Sequence, residues 1–508
     1  MPVFAAIDIG SNSCRLKIAR VHNHKLHTLH EDREVTRLGE SVFQTGVLSP
    51  ESMANTIRAL KRFHRAVQAA AADKLRVVAT SAMRDARNAS AFTAWVRSAT
   101  GWRVEVISGL EEGRLIHTGV VSNDASTHGR ALLIDLGGGS CEITYSENRR
   151  IREMLSLPLG AVRLTQDFLQ HDPPTKEEVS RMRQLIHREL RKVERRLPEV
   201  KVTTVIATSG TAAALVEAGN LLDKGRSKVK GFVATRSVRK LTEKLTKLDN
   251  EDREAVPGIG PRRSEIVIAG AHVYSEVLER LDLPGFRYSP MGLRDGILAQ
   301  MLAQQDRATV AHQRFESERW DGVLELCRRY RSDPKTNEAV RAHASQLFRE
   351  LQQVHGLPPE YEFWLECAAM MHDVGKFLNY QGWHRHTQYV IANSELYGFT
   401  PEDRTLVSAI ARYLGKSRPS PQDRVMRSVP PNEHVRVHKA VVLLRLAMAL
   451  NQDRASDVLR LKSRLYPKRV VLEVTPGRTG AALELWALRK EAAYFREVFR
   501  RELLPTLA

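Results

Sequence analysis

The chain of 508 residues carries 78 Lys and Arg against 59 Asp and Glu, a formal charge of +19, and 42% of its residues are apolar. That length exceeds what one core supports and predicts three or four domains, while the charge favours a polyanionic partner without choosing among nucleic acid, anionic lipid and polyphosphate. Cys14, Cys141, Cys327 and Cys367 show no paired spacing, which argues against a disulfide framework and for a reducing compartment. The N-terminus enters a strand without a basic leader, and the longest apolar run, residues 441–450, contains Arg445 and is too short to span a bilayer. A cytoplasmic protein with no membrane partner is expected. The basic residues are scattered through helices, with no aromatic-interleaved tract and no zinc-finger spacing, so no specific nucleic-acid partner is expected either.

In chain order, Ala6-Ile7-Asp8-Ile9-Gly10-Ser11-Asn12-Ser13 reads as a strand ending in Asp, then a turn of small residues, and residues 15–30 continue as an antiparallel ribbon. Ser49-Pro50-Glu51 opens a helix to about Ala72. A strand over 75–80 leads to Arg84, which is placed either to grip phosphate or to pair with Asp85. After a strand over 103–107, Ser108 and Glu111 have the spacing of a capping box, which leaves Glu112 in the first helical turn without a structural reason.

Then the opening repeats. Leu132-Leu133-Ile134-Asp135-Leu136-Gly137-Gly138-Gly139-Ser140-Cys141-Glu142 rewrites the first strand and turn, and Val77-Val78-Ala79-Thr80-Ser81-Ala82 returns at nearly the same spacing as Val205-Ile206-Ala207-Thr208-Ser209-Gly210. Two matches in one register predict duplicated α/β halves. Glycines at such turns let successive N–H groups approach one anion, and an Asp at the strand end suits a cation or a water; two plain hairpin turns are the alternative. The copies differ in that Arg15 follows the first turn and Glu142 the second. Further on come a helix over 175–196, a strand over 202–207, a turn at Ser209 and Gly210 that either donates N–H groups to an anion or simply joins strand to helix, a polar basic stretch over 220–247, a helix over 261–281, and a segment over 291–302 that closes the second half. From Gln304 the pattern is helix after helix. Boundaries are therefore expected at 1–128, 129–304, 305–460 and 461–508.

The pairing of Asp8-Ile-Gly-Ser-Asn-Ser with Asp135-Leu-Gly-Gly-Gly-Ser-Cys-Glu resembles the exopolyphosphatase and guanosine pentaphosphate phosphohydrolase family, as do Thr80 to Ala86, Ile107 to Ile116, Val256 to Arg263 and Met291 to Gly296. The resemblance implies two actin-like (ribonuclease-H-like) lobes around a cleft, with Glu112, which stands just before Gly113-Arg114, as the catalytic glutamate. It also implies a homodimer. Catalysis is assigned to Glu112 and Glu142, with their roles exchangeable. Phosphate binding is assigned to Asn12, Ser13, Arg84, Gly137, Gly138, Gly139, Ser140, Ser209 and Gly210, and Mg²⁺ to Asp135 and Glu142. The expected reaction releases terminal phosphate from inorganic polyphosphate; alternatives are hydrolysis of guanosine pentaphosphate and a non-catalytic sensor of either ligand.

In the helical part, Ala368-Ala-Met-Met-His372-Asp373-Val-Gly-Lys376 resembles the metal-binding step of HD-type phosphohydrolases, with His343 upstream. Met448 stands where that pattern needs an aspartate, so an HD-like fold without metal chemistry is expected. Arg328, Arg329, Arg331, His384 and Arg385 are candidates for holding a long polyanion. Residues 461–508 read as a strand and an amphipathic helix, a small α+β end.

Overall fold

The computed structural model describes all residues except 199–200, 223–230, 307–308, 454–457 and 479, and its contacts divide the chain into two compact units, Met1–Gln313 and Arg314–Ala508. The part of the polar basic stretch at 223–230 thus lies outside the described residues.

The first unit contains two sheets built to one plan. β1 (Val3–Ile9), β2 (Ser13–His22) and β3 (Lys25–Val35) run antiparallel, and β4 (Lys74–Ala79) and β5 (Val104–Val106) add on parallel to β1. In the second sheet β6 (Arg130–Leu136), β7 (Cys141–Glu147) and β8 (Arg150–Leu157) repeat the antiparallel ribbon. β9 (Thr204–Thr208) joins parallel to β6, β11 (Gly285–Tyr288) parallel to β9, and β10 (Phe232–Ala234) closes the edge. The sheet orders are β3-β2-β1-β4-β5 and β10-β11-β9-β6-β7-β8, the duplicated actin-like arrangement.

β1 and β6 are apolar on both faces because both faces are covered. Ala5, Ile7 and Ile9 pack into the core of the first sheet's outer side, while Phe4 and Ala6 join Ala131 and Leu133 of β6 in a core shared with Leu115 and Ile297. Leu115 and Ile297 lie on the helices Gly109–Asn123 and Leu293–Gln305, which therefore sit between the sheets. Their approach depends on glycine: a Cβ at Gly296 would lie 1.7 Å from the Leu115 carbonyl oxygen, and one at Gly119 2.6 Å from that of Gly292.

Local readings of the sequence needed three changes. The helix expected from 261 spans Val267–Arg280, because residues 261–266 form turns that carry Arg262 and Arg263. The helix from Ser49 ends at Ala69. Ser108 does cap its helix by accepting from the Glu111 N–H at 3.1 Å, but the Glu111 carboxylate accepts from Arg114 Nε at 2.8 Å, so an ion pair explains Glu111.

The second unit is a helical body, including Pro334–Glu350, Glu360–Met370, Trp383–Asn393, Pro401–Arg412 and His434–Ala449, with a sheet of β12 (Arg460–Leu465), β13 (Arg469–Thr475) and β14 (Glu502–Leu507) beside the helix Ala482–Phe499. Leu461, Val470 and Leu472 share one apolar core with Ala344, Leu347 and Leu443. β12 and β14 escaped the sequence reading because β12 carries only two apolar residues and β14 contains Pro505. Among the described residues, no helix is long and apolar enough to cross a membrane.

If the two central helices are fixed by contact at glycine, Gly296→Ala forces them apart and costs about 2 kcal/mol or more. A urea unfolding midpoint equal to that of the unaltered chain would show that the contact yields freely.

Candidate active site

The antiparallel pairing of each ribbon fixes what faces what. Asp8 stands opposite Arg15 across β1 and β2, and Asp135 opposite Glu142 across β6 and β7, so the two copies present the same position with opposite charge. The turns they flank line a cavity of 410 Å³ together with Asn12, Ser13, Ser140, Ser209 and Gly210. The two turns meet closely: a Cβ at Gly138 would lie 3.1 Å from Ser11 Cβ, and one at Gly139 2.4 Å from Ser81 Oγ. The second turn is also held from behind, where the N–H groups of Ala161 and Val162 donate to the carbonyls of Gly137 and Gly138 at 3.0 and 2.8 Å. Arg163 Nε donates to the Gly139 carbonyl at 2.8 Å.

Ser209, at the end of β9, has a φ of 72°, a left-handed conformation that costs a non-glycine residue roughly 1–2 kcal/mol. Its hydroxyl donates to the Leu136 carbonyl at 2.6 Å, which ties the strained turn to the neighbouring cradle.

Among the residues expected at the site, Asn12, Ser13, Glu112, Asp135, Gly137, Gly138, Gly139, Ser140, Ser209 and Gly210 line the cavity, whereas Arg84 and Glu142 stand behind its wall. Arg84 Nη1 donates to Glu112 Oε2 at 3.0 Å and to the Ile107 carbonyl at 2.9 Å, and Nη2 reaches Ser140 Oγ at 3.4 Å. Glu142 accepts from Ser156 Oγ at 2.7 Å through Oε1, and its buried Oε2 has no hydrogen-bond partner.

Burial dominates the electrostatics. Glu112 is 7% and Glu142 1% exposed. Burial raises Glu112 to about 7 despite the pull of Arg84. Glu142 is pushed well up by burial, then by Glu112 and Asp135. Asp8 rises to about 6 for the same first reason, with Arg15 and Arg294 opposing, and burial lifts Asp135 against the hydrogen bond from Thr208. The carboxyl side of the cavity is thus short of positive charge, and Asp8 Oδ1 is buried with no hydrogen-bond partner.

The other side is short of negative charge. Burial lowers Arg33 to about 10, helped by Arg15, Arg262 and Arg294, and lowers Arg263 to about 10, helped by Arg15 and Arg33. Arg33 Nε and Nη2 are buried without acceptors. Arg294 is anchored by donating to the Leu16 carbonyl at 2.7 Å, and Arg263 lies so close over Gly210 that a Cβ there would be 1.5 Å from its Nη2. These arginines lay inside or beside motifs already marked in the sequence, but only the fold brings β2, β3, the 261–266 turns and the helix Leu293–Gln305 to one wall.

In the second unit one member of the expected metal-binding step, His343, is engaged through one ring nitrogen, its Nδ1 being buried with no hydrogen-bond partner. His343 Nε2 accepts the Leu459 N–H at 2.9 Å, and burial lowers its ring to about 4. Asp373 is held by Asn337 at 2.8 Å and by Ser332. Met448 reaches a cavity in this unit, as do His372 and Lys376. Among the described residues no group of three or more His, Cys, Asp or Glu is arranged around a metal position. His384 is pushed toward neutrality by burial, with Arg412 and Arg385 adding, and Arg328 pairs with Glu325 at 3.0 Å.

The profile of the Ppx/GppA phosphatase family matches residues 17–305, and that of its domain III matches residues 318–491. A crystal structure of the Aquifex aeolicus member of the Ppx/GppA family is 30% identical, with 60% of this chain and 99% of that one covered and a TM-score of 0.51. An exopolyphosphatase-like protein is 30% identical over 58% of this chain and 96% of its own, with a TM-score of 0.54. An exopolyphosphatase from Cytophaga hutchinsonii, 24% identical over 59% and 98% with a TM-score of 0.55, shares the fold. The chain with its two facing cradles and its helical second unit belongs to the Ppx/GppA phosphatase family.

Proposed function

We propose that the chain is an exopolyphosphatase that releases terminal orthophosphate from inorganic polyphosphate. The observation that carries this reading is the cavity's wall of arginines, Arg15, Arg33, Arg263 and Arg294, of which Arg33 has buried donors without acceptors, beside the turns at residues 10–13 and 137–140. A chain of phosphates supplies the missing negative charge along its length. Tyr288, Ile259, Ile266 and Met291 add an apolar part to that lining, and guanosine pentaphosphate ranks second because the arginines match a chain of phosphates more directly than these residues match a base.

In the proposed reaction the terminal phosphoryl group rests against the turns at residues 10–13 and 137–140. Glu112 takes a proton from a water as its oxygen bonds to the terminal phosphorus, and the bridging P–O bond breaks toward the shortened chain. Arg84 orients Glu112 through their ion pair. Glu142, whose carboxyl is pushed well up by burial and then by Glu112 and Asp135, fits a hydrogen-bond donor to the water or to Glu112 better than a base. The residues also suit magnesium: Asp8 and Asp135 offer hard oxygens, one of them unpartnered, and Mg²⁺ commonly takes one or two carboxylates and completes its shell with phosphate oxygens and water. Bound there, with Glu142 nearby, it would neutralise charge on the phosphate oxygens.

Glu112→Gln should lower turnover on polyphosphate, with no acceptor present, by on the order of 10² while leaving binding near normal. Because Glu112 acts as carboxylate, turnover of the unaltered chain should fall as pH drops through about 7, and the residual turnover of Glu112→Gln should lose that limb. Near-normal turnover in the variant would remove Glu112 from the mechanism. Arg33→Ala and Arg263→Ala should each weaken long polyphosphate by roughly tenfold, the scale of a charged hydrogen bond, with affinity falling steeply as salt rises. Competition in which guanosine pentaphosphate is preferred over long polyphosphate at physiological salt would promote the second reading.

A further inference from the structure

The second unit has a cavity of its own, 380 Å³, within the range of roughly 300–1,000 Å³ typical of small-ligand sites. Its chemistry differs from that of the cleft between the turns. Tyr380, Trp383 and Trp486 line it, and Tyr380 is 71% and Trp486 50% exposed, a large unburied aromatic surface for one cavity. Two lysines accompany the rings. Lys490 Nζ lies 3.3 Å over the Trp486 ring and Lys376 Nζ 5.2 Å over that of Trp383. Lys376 is partly neutralised by Asp373 at 3.7 Å, whereas no carboxylate pairs with Lys490 among the described residues. The acid on the wall, Glu491, is already neutralised by two bonds from Arg445, at 2.7 and 3.0 Å.

A third observation is independent of ring and charge. Asn451, 6% exposed, lines the same cavity and donates through Nδ2 to the Thr336 carbonyl at 3.3 Å, which fixes its amide orientation. Its Oδ1 is buried with no hydrogen-bond partner. A buried acceptor without a donor is costly and calls for a ligand N–H. Aromatic faces, cations and a vacant acceptor together describe an anion that carries a flat heterocycle with N–H groups. Polyphosphate has the charge and neither of the other two features, and an uncharged aromatic compound leaves the lysines without a role.

We propose that this cavity binds a purine nucleoside phosphate, with the base against Trp486 and its neighbouring rings, an N–H of the base donating to Asn451 Oδ1, and the phosphates near Lys490 and Lys376. The site does not depend on the reaction assigned to the first unit. Binding of GTP and of tripolyphosphate to the full-length protein, followed by equilibrium dialysis and tryptophan fluorescence, tests it. GTP should quench the fluorescence. Trp486→Ala should weaken GTP at least tenfold, in keeping with the loss of base stacking, and tripolyphosphate less than twofold. Lys490→Ala should also weaken GTP, and both variants should release phosphate from polyphosphate at the unaltered rate. The proposal falls if GTP does not bind, or if Trp486→Ala leaves its affinity unchanged. It falls equally if tripolyphosphate loses as much as GTP, since the site is then one for anions alone. Loss of GTP binding in Arg263→Ala with retention in Trp486→Ala would place the nucleotide in the first unit's cleft and overturn the assignment.

Discussion

Charge buried without its complement is the constraint on which the first unit is built. Asp8, Asp135, Glu112 and Glu142 are all raised by burial, and Arg33, Arg263 and Arg294 are all lowered by it, within one cavity and its wall. Arg84 pairs with Glu112, but Asp8 and Asp135 stand at strand ends with Glu142 beside them, while Arg33, Arg263 and Arg294 gather on the cavity's other wall. Buried charge of this kind is several kcal/mol unfavourable per group unless something neutralises it. An anion with a divalent cation satisfies both sets at once, which is the physical content of the phosphatase assignment.

Such an arrangement persists only where the surroundings leave the side chains no escape. The surroundings are rigid by contact: the glycines at 138, 139 and 160 pack backbone on backbone, and a Cβ at Gly160 would lie 2.3 Å from Gly139. The central helices are equally constrained at Gly119 and Gly296, and Lys17 with Asp295 at 2.7 Å, and Arg294 with the Leu16 carbonyl, tie the last helix of the unit back to β2. Stored strain at Ser209 is consistent with this reading, since a left-handed serine survives only in an over-determined turn. The cores on either side supply the stability that the site subtracts.

The repeat made the duplicated lobes legible, because two apolar strands ending in Asp and followed by small residues can be recognised without any knowledge of what lies between them. Elimination left Glu112 without a local reason, since Ser108 and Glu111 had theirs, and only the family resemblance marked it as catalytic. Even there the reason given for Glu111 was wrong in detail, as Arg114 rather than the helix N-cap takes its carboxylate. The arginine wall was not legible as a wall, since its members come from β2, β3, a turn and a helix with nothing local in common. Whether Arg84 meets phosphate or another side chain also cannot be read from its neighbours, and in the fold it meets Glu112. In the second unit the pairing of His343 with a backbone N–H more than a hundred residues away was not legible.

The two cavities differ in the part of a phosphorylated ligand that each suits. Arginines and backbone N–H groups recognise phosphate whatever it is attached to, so the first unit's cavity treats the end of a polyphosphate and the end of a phosphorylated nucleoside much alike. Discrimination between them requires contact with something only one of them has, and that is the base. The rings and the unpartnered amide that suit a base are found in the second unit. On that proposal Trp486 and Asn451 report on a nucleotide held in the second unit, independently of the anhydride hydrolysed beside Glu112.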